Sequence, residues 1–224
     1  MTSKDNFIII KDDPTLYDPE LFMISPVHKQ YVDKILIPCG LIHDRTARLA
    51  IDIVNYYSSQ NIKSVHVVCI LLGSYLFYNE VIEAAQDYIN CRQIDLNLFV
   101  HFVRLQSYVD DRSENEVKII GEERFDFAKE NHVLVIEDIV DTGKTMAKFT
   151  NTLSPYKPNS LEIASLLLKR TPLSSGFKPR FVGFEVPDLF VIGYGLDYNE
   201  HFRTLQHICT INEHGKTALS VSKH

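Results

Sequence analysis

The chain has little of what would tie it to a secreted, membrane-bound or nucleic-acid-binding role. Four cysteines (Cys39, Cys69, Cys91 and Cys209) are scattered over 224 residues, with no Cys-x-x-Cys pair. Clustered zinc ligands are therefore lacking, and so is the cysteine framework of a small secreted domain. Cys69 and Cys209 lie in apolar runs and Cys39 and Cys91 in mixed surroundings; small buried thiols are the expected role for all four. Basic residues do not dominate, because 23 Lys and Arg against 29 Asp and Glu give a formal net charge of -6. No global attraction for nucleic acid or anionic lipid follows, so an anionic ligand must be held by local donors or a bridging metal. No apolar run approaches the roughly 18 residues needed to cross a bilayer. The start has no apolar signal-peptide core, and Met1-Thr2 does not open a myristoylation site. Ser222-Lys223-His224 misses the peroxisomal address by its last residue, and no Asn-x-Ser/Thr sequon occurs. Internal repeats and low-complexity tracts are absent too. A reduced, cytoplasmic protein is the expectation.

What is present suits one sizeable globular domain. Hydrophobic residues make up 45% and charged residues 23%, which excludes a disordered chain and supports a substantial core. The first 25 residues, with Pro14, Pro19 and several aspartates, are expected to be irregular. Leu41, Ile42, Arg45, Leu49, Ile53 and Tyr56 recur near the helical period and predict a helix from Leu41 to Tyr57. Val65 to Leu71, Val133 to Ile136 and Leu161 to Leu168 are short apolar runs of the kind covered on both faces of a sheet. A helix is predicted from Tyr75 to Tyr88, β-structure from Ile94 to Leu105, and a helix from about Lys144. Phe181 to Val186, Phe190 to Tyr194 and His207 to Ile211 predict shorter strands. Alternation of strand and helix implies an α/β fold, a mostly parallel sheet flanked by helices. Ligands of such sheets sit at the carboxyl ends of strands, which directs attention past Leu71, Ile136, Leu168 and Gly195.

The stretch Glu137-Asp138-Ile139-Val140-Asp141-Thr142-Gly143-Lys144-Thr145 is the most informative. An apolar strand runs into two carboxylates, then into a tight polar loop that opens a helix. Backbone N–H groups and the dipole at a helix start favour an anion. Gly143 allows close approach without a Cβ, and Thr142 and Thr145 add hydroxyl donors. Glu137 and Asp138 would repel a phosphate but suit sugar hydroxyls or a magnesium ion. A ribose phosphate satisfies both halves. Competing motifs fail, since a Walker A loop would need glycine where Asp138 stands, and a dinucleotide fingerprint beginning at Gly193 would need glycine where Tyr198 stands. An ordinary N-cap by Thr142 or Asp141 is the alternative for the last half of the motif alone.

This segment resembles the phosphoribosyl-pyrophosphate signature of the type I phosphoribosyltransferases. Phe102 to Tyr108, Ala164 to Pro172, Phe181 to Pro187 and Gly195 to Arg203 resemble, in order, segments of the hypoxanthine-guanine members of that family. The similarity runs from about Tyr17 to Lys216. It implies one phosphoribosyltransferase domain over residues 1–224. The hood would be built from about 1–40 and 171–224, and a mobile flap from about 106–121, a long polar stretch. It also implies a magnesium-dependent transfer of 5-phosphoribosyl from phosphoribosyl pyrophosphate to hypoxanthine or guanine, giving IMP or GMP, in a homodimer or homotetramer with no nucleic-acid or membrane partner.

By that resemblance Glu137, Asp138, Asp141, Thr142, Gly143, Lys144 and Thr145 hold the ribose and 5′-phosphate. Arg203 and the backbone N–H groups of the Leu72-Gly73 peptide meet the pyrophosphate, and Ser107 and Tyr108 belong to the flap. Lys169, Phe190, Val191 and Asp197 bind the purine. Asp197, with Glu137 and Asp138, is expected near Mg2+, and Asp141 near N7 as the proton acceptor. Lys169 has independent chemical logic, because an ammonium can only donate. It suits a 6-oxo group and would face the 6-amino group of adenine with donors on both sides, a mismatch that can discriminate by roughly 10⁴-fold.

The chain departs from many relatives at three positions, with Leu72, Gln106 and Leu189 where lysine or arginine is frequent. Loss of positive charge beside an anionic substrate implies weaker donor binding. It also keeps open a weakly active, nucleotide-binding protein of the same fold with a regulatory or interaction role.

Overall fold

The computed structural model describes residues 6–107, 117–120 and 125–220. In chain order the elements are β1 (Ile8–Ile9), α1 (Pro26–Lys29), β2 (Val32–Ile37), α2 (Cys39–Ser59), β3 (Ser64–Leu71), α3 (Tyr75–Arg92), β4 (Asn97–Ser107), β5 (Val117–Ile120), β6 (His132–Val140), α4 (Lys144–Leu153), β7 (Ser160–Lys169), β8 (Phe181–Val186), β9 (Val191–Ile192), β10 (Ile208–Ile211) and α5 (Glu213–Ala218), with three short 3-10 turns between them.

The large sheet has seven strands in the order β1-β8-β7-β6-β3-β4-β5. All neighbours run parallel except β4 and β5, which are antiparallel. Its centre is covered on both faces, and the apolar runs of β3 and β6 divide accordingly. Val65, Val67 and Cys69 pack with Leu134 and Ile136 against α2 and α3. Val68 and Ile70 pack with Val133 and Val135 against Met146, Phe149 and Leu153 of α4. Side chains alternate across a strand, so a continuous apolar run is what two covered faces require. Helix α2 buries Ile42, Leu49, Ile53 and Tyr57 on one stripe. Its buried Arg45 donates from Nε to the Gly183 carbonyl at 3.0 Å and from a terminal nitrogen to that of Val182 at 2.8 Å, tying the helix to β8.

A second, antiparallel sheet of three strands runs β2-β10-β9. Ile24, Val32, Ile35, Ile192, Phe202, Leu205, Cys209 and Ile211 form its own core. It joins a strand from the N-terminal segment to two from the C-terminal segment. Its strands are short, and its register is irregular between β10 and β2.

Several features differ from the sequence expectation. The segment expected to be irregular contributes β1, a two-residue edge strand too short to leave a pattern. The strand expected over Val133 to Ile136 continues to Val140, with Glu137 paired to Ser165 and Val140 to Leu168. The two carboxylates therefore lie inside the strand, with Ile139 and Val140 following before the loop. Cys69 and Cys209 are buried as expected, whereas Cys91 is exposed at the end of α3 and Cys39 is half-buried. Most of the segment from 106 to 121, including Tyr108, lies outside the described residues.

Candidate active site

Three loops meet at the carboxyl ends of β3 and β6. The first follows β3. Its Leu71–Leu72 peptide is cis, and Gly73 packs so closely on Asp138 that a Cβ there would overlap the Asp138 carboxylate. Ser74, fully buried, accepts a hydrogen bond from the Asp138 N–H at 2.9 Å. The second loop is the β6–α4 connection. The third carries Gly195 (φ 95°), where a Cβ would overlap the Gly73 carbonyl. Two glycines thus let three chain segments touch where any other residue would force them apart.

These loops enclose a cavity of about 300 Å³, lined by Gly73, Glu137, Asp138, Asp141, Thr142, Gly143, Thr145, Asp197 and Arg203 among others. Nine of the predicted site residues therefore share one space. Gly143 (φ 80°) caps α4, and no side chain supplies a cap hydrogen bond. The N-cap alternative with Thr142 or Asp141 does not hold: Thr142 Oγ1 lies 3.4 Å from the Lys144 nitrogen, a marginal contact. The first N–H groups of α4 keep their donor capacity beside the cavity. The segment after β7 fixes this turn from outside. The Ser175 N–H donates to the Thr142 carbonyl at 2.8 Å, and a Cβ on Gly143 would come within 2.6 Å of Phe177 Cβ.

The electrostatics are uneven. Burial, reinforced by the adjacent Asp138 carboxylate and its hydrogen bond, holds the Glu137 carboxyl well above the usual carboxylate range. Burial also raises Asp138, opposed by its hydrogen bonds to Glu137 and to backbone N–H groups and by the charge of Arg203. Asp138 Oδ1 accepts from the Ile139 N–H at 2.7 Å, while Glu137 Oε2 is buried with no partner. Arg203 pairs with Asp197 at 2.8 Å and donates to the Gly195 carbonyl at 3.0 Å, leaving its buried Nε unpartnered.

Lys169 ends β7, beside Asp141 just past the end of β6, and its Nζ donates to Asp141 Oδ2 at 2.8 Å. The residue expected to read the base and the one expected to accept its proton are therefore bonded to each other. Phe190 is half exposed and packs edge-on against Tyr198, with ring centroids 5.7 Å apart, and Val191 is buried in β9. The Lys144 side chain is exposed and does not line the cavity. The Leu72 side chain lines an adjoining apolar cavity of about 720 Å³ with Tyr75, Leu76 and Leu205. Of the flap pair, Ser107 ends β4.

A phosphoribosyl transferase domain model matches residues 40–199. The bovine and human hypoxanthine-guanine phosphoribosyltransferases are each 41% identical to the chain over 216 residues, covering 96% of it and 98% of each relative. The chain belongs to the hypoxanthine-guanine phosphoribosyltransferase family. The crystal structure of the Schistosoma mansoni hypoxanthine-guanine phosphoribosyltransferase in complex with IMP superposes with a TM-score of 0.82 at 37% identity, over 96% of this chain and all of that one.

Enzymes of the hypoxanthine-guanine phosphoribosyltransferase family use a metal ion. The residues present fit one in a limited way. Among the described residues, no group of three or more potential metal-ligating side chains converges. Yet Glu137, Asp138 and Asp197 line one cavity, and Glu137 Oε2 is an unused acceptor. Few carboxylates, hard oxygen donors and space for substrate suit an ion that takes most of its ligands from substrate and water. Sequence reasoning missed Ser74, which anchors Asp138, and Ser175 and Phe177, which brace Gly143. Neither Ser74 beside Gly73 nor Ser175 and Phe177 beside Gly176 carry a local signal for their tasks.

Proposed function

We propose that the chain transfers the 5-phosphoribosyl group of phosphoribosyl pyrophosphate to hypoxanthine or guanine, giving IMP or GMP and pyrophosphate. The observation that carries this reading is the single cavity lined by paired carboxylates, an uncapped helix start and Asp141, the last of these bonded to Lys169. Glu137 and Asp138 accept hydrogen bonds from the ribose hydroxyls. The Asp141–Thr145 turn holds the 5′-phosphate with backbone N–H groups and the hydroxyls of Thr142 and Thr145, Lys144 contributing through its backbone. Gly73 and Arg203 face the pyrophosphate. Such positioning can supply roughly 7–11 kcal/mol of a barrier in the best cases.

Lys169 donates to the purine 6-oxo group, Phe190 covers the ring, and the backbone of Val191 reads its N1 and C2 edge. As N9 attacks the sugar, Asp141 accepts the N7 proton. Arg203 stabilises charge that collects on the leaving oxygen. Mg2+ held through Asp197, Glu137 and Asp138 would, when bound, neutralise part of the pyrophosphate charge. Closure by the flap with Ser107 and Tyr108 would exclude water. Four free thiols support a cytoplasmic setting. Among the described residues no helix is long and apolar enough to cross a membrane. Exposed Leu72, Tyr75 and Phe102 offer material for a homodimer or homotetramer.

A purine panel with phosphoribosyl pyrophosphate and Mg2+ tests the reading. Product should form from hypoxanthine and guanine and not from adenine; turnover of adenine alone, or of none, overturns it. The weakly active alternative draws on Leu72, whose side chain gives the pyrophosphate nothing. Leu72→Lys should lower the donor KM by about tenfold, the size of one charged hydrogen bond, whereas an unchanged or higher value would mean that the missing lysine is not what limits donor binding.

A further inference from the structure

Three neighbouring strands end in a row of charges. Asp141 lies just beyond β6, Lys169 ends β7, and Asp188 lies just beyond β8. The register explains why they meet, because Val140 pairs with Leu168 and Lys169 with Val186. Asp188 is carried on a tight turn, in which the Leu189 N–H donates to the Pro187 carbonyl at 2.8 Å. The Lys169 side chain is only 10% exposed, and Asp141 and Asp188 are 51% and 53% exposed. Its ammonium sits 2.8 Å from Asp141 and 3.9 Å from Asp188. Lys169 thus has one seat that it occupies and a second carboxylate within ion-pair distance on the opposite side. Resemblance to the family drew no attention to Asp188, and the mechanism above does not use it.

The occupied seat conflicts with turnover. Asp141 must receive a proton while Lys169 bonds to the 6-oxo group. The Lys169 N–H already fills an Asp141 oxygen that would take that proton. We propose that Asp188 is a positioning residue that takes Lys169 over from Asp141 when a 6-oxopurine enters, so that recognising the base also releases the group that accepts its proton. An ammonium has three donors, enough to serve the 6-oxo oxygen and Asp188 together. In the step that follows, the N9 lone pair forms the bond to C1′ and the C1′–oxygen bond breaks with its electron pair leaving on pyrophosphate. The N7 proton passes to the freed Asp141 carboxylate.

This inference rests on the phosphoribosyl-transfer reading, and the unsubstituted enzyme is the control that separates the two. If that enzyme fails to convert hypoxanthine or guanine, both fall together. Given activity, Asp188→Asn should raise the KM for hypoxanthine and guanine about tenfold, as for loss of one charged contact. The KM for phosphoribosyl pyrophosphate, which does not meet Lys169, should stay within about twofold and kcat should fall less than the purine KM rises. Asp188→Glu should restore most of the purine KM. A purely structural role would move both substrates and the melting temperature together. Unchanged purine KM in Asp188→Asn, or equal changes for both substrates, overturns the proposal. A measurement on the unsubstituted protein is independent of how any variant folds. In a crystal structure with IMP, Lys169 should have left Asp141 and lie at hydrogen-bond distance from Asp188. Lys169 still bonded to Asp141 beside bound IMP would overturn it.

Discussion

Two pairs of titratable side chains sit on the same sheet and are treated in opposite ways. His66 of β3 and His101 of β4 meet ring to ring, His66 Nδ1 lying 2.9 Å from His101 Nε2. Phe99 stacks on His66 with centroids 5.0 Å apart and Phe127 on His101 at 3.9 Å. One ring donates to the other, so two neutral imidazoles satisfy each other. Burial lowers both pKa values, that of His66 also through His101. Glu137 and Asp138 are instead two acids, buried and adjacent, with one oxygen unpartnered. A buried polar atom without a partner costs on the order of 1–3 kcal/mol. The histidine pair is what a sheet does with polar groups when only folding matters; the acid pair is left unsatisfied where a ligand can satisfy it. The proposed ribose hydroxyls and metal supply that missing partner.

The sharpest way to break the acid pair is from outside. Gly73→Ala would drive a Cβ into the Asp138 carboxylate, which cannot retreat easily because it and its backbone are held by Ile139 and Ser74. Displacement of a positioning group by about 1 Å can cost 10²-fold, and a loss of at least about that size in kcat/KM is expected. Normal turnover by Gly73→Ala would mean that the Asp138 position is not decisive.

Glu137→Gln tests the other half of the contrast with a smaller effect. Loss of a charged acceptor should lower kcat/KM by about tenfold. Stability of the ligand-free, metal-free protein should move the opposite way. The Glu137 pKa is raised from 4.5 on folding, so its contribution is fully present below that value and is lost as pH rises through the higher folded one. Glutamine has no such loss. Melting curves of the variant should therefore gain on the parent as pH climbs from about 4 to 8; a pH-independent difference would show that Glu137 is not held protonated.

The order of these elements was largely legible in the chain because the central strands are buried on both faces and carry unbroken apolar runs. Helix α4 begins at Lys144, as expected from the sequence. The second sheet was harder. Val191–Ile192 is too short for any period, and its pairing with Ile208–Ile211 depends on a partner many residues away. Within the site, the residues of the β6–α4 stretch could be picked out because loop chemistry is written locally. Ser74, Asp188 and the place of Leu72 in the adjoining cavity could not, because each depends on where another strand ends. Gln106 and Tyr108 lie where no side chain is described, so the flap remains a proposal from the sequence.

The smallest effect should come from the histidines, and it completes the comparison. Their pKa values fall below 6.5 on folding, so the stability they contribute is whole above that value and is lost as pH drops through the folded ones. The acid pair drives stability the other way over part of the same range, which means that the parent's pH profile is a sum and cannot be read by itself. His101→Phe keeps a ring against Phe127 but leaves His66 without its hydrogen bond. At neutral pH it should cost about 1 kcal/mol, or roughly 2–4 °C in Tm for a chain of this size, with kcat untouched because neither histidine lines the site cavity. On acidification the variant should lose less than the parent, since one of the two groups that must charge has been removed. If the two melting profiles run parallel from about pH 7 to 5, the histidine pair is not a source of acid sensitivity, and the satisfied pair and the unsatisfied one differ in geometry without differing in their pH-dependent energetic consequence.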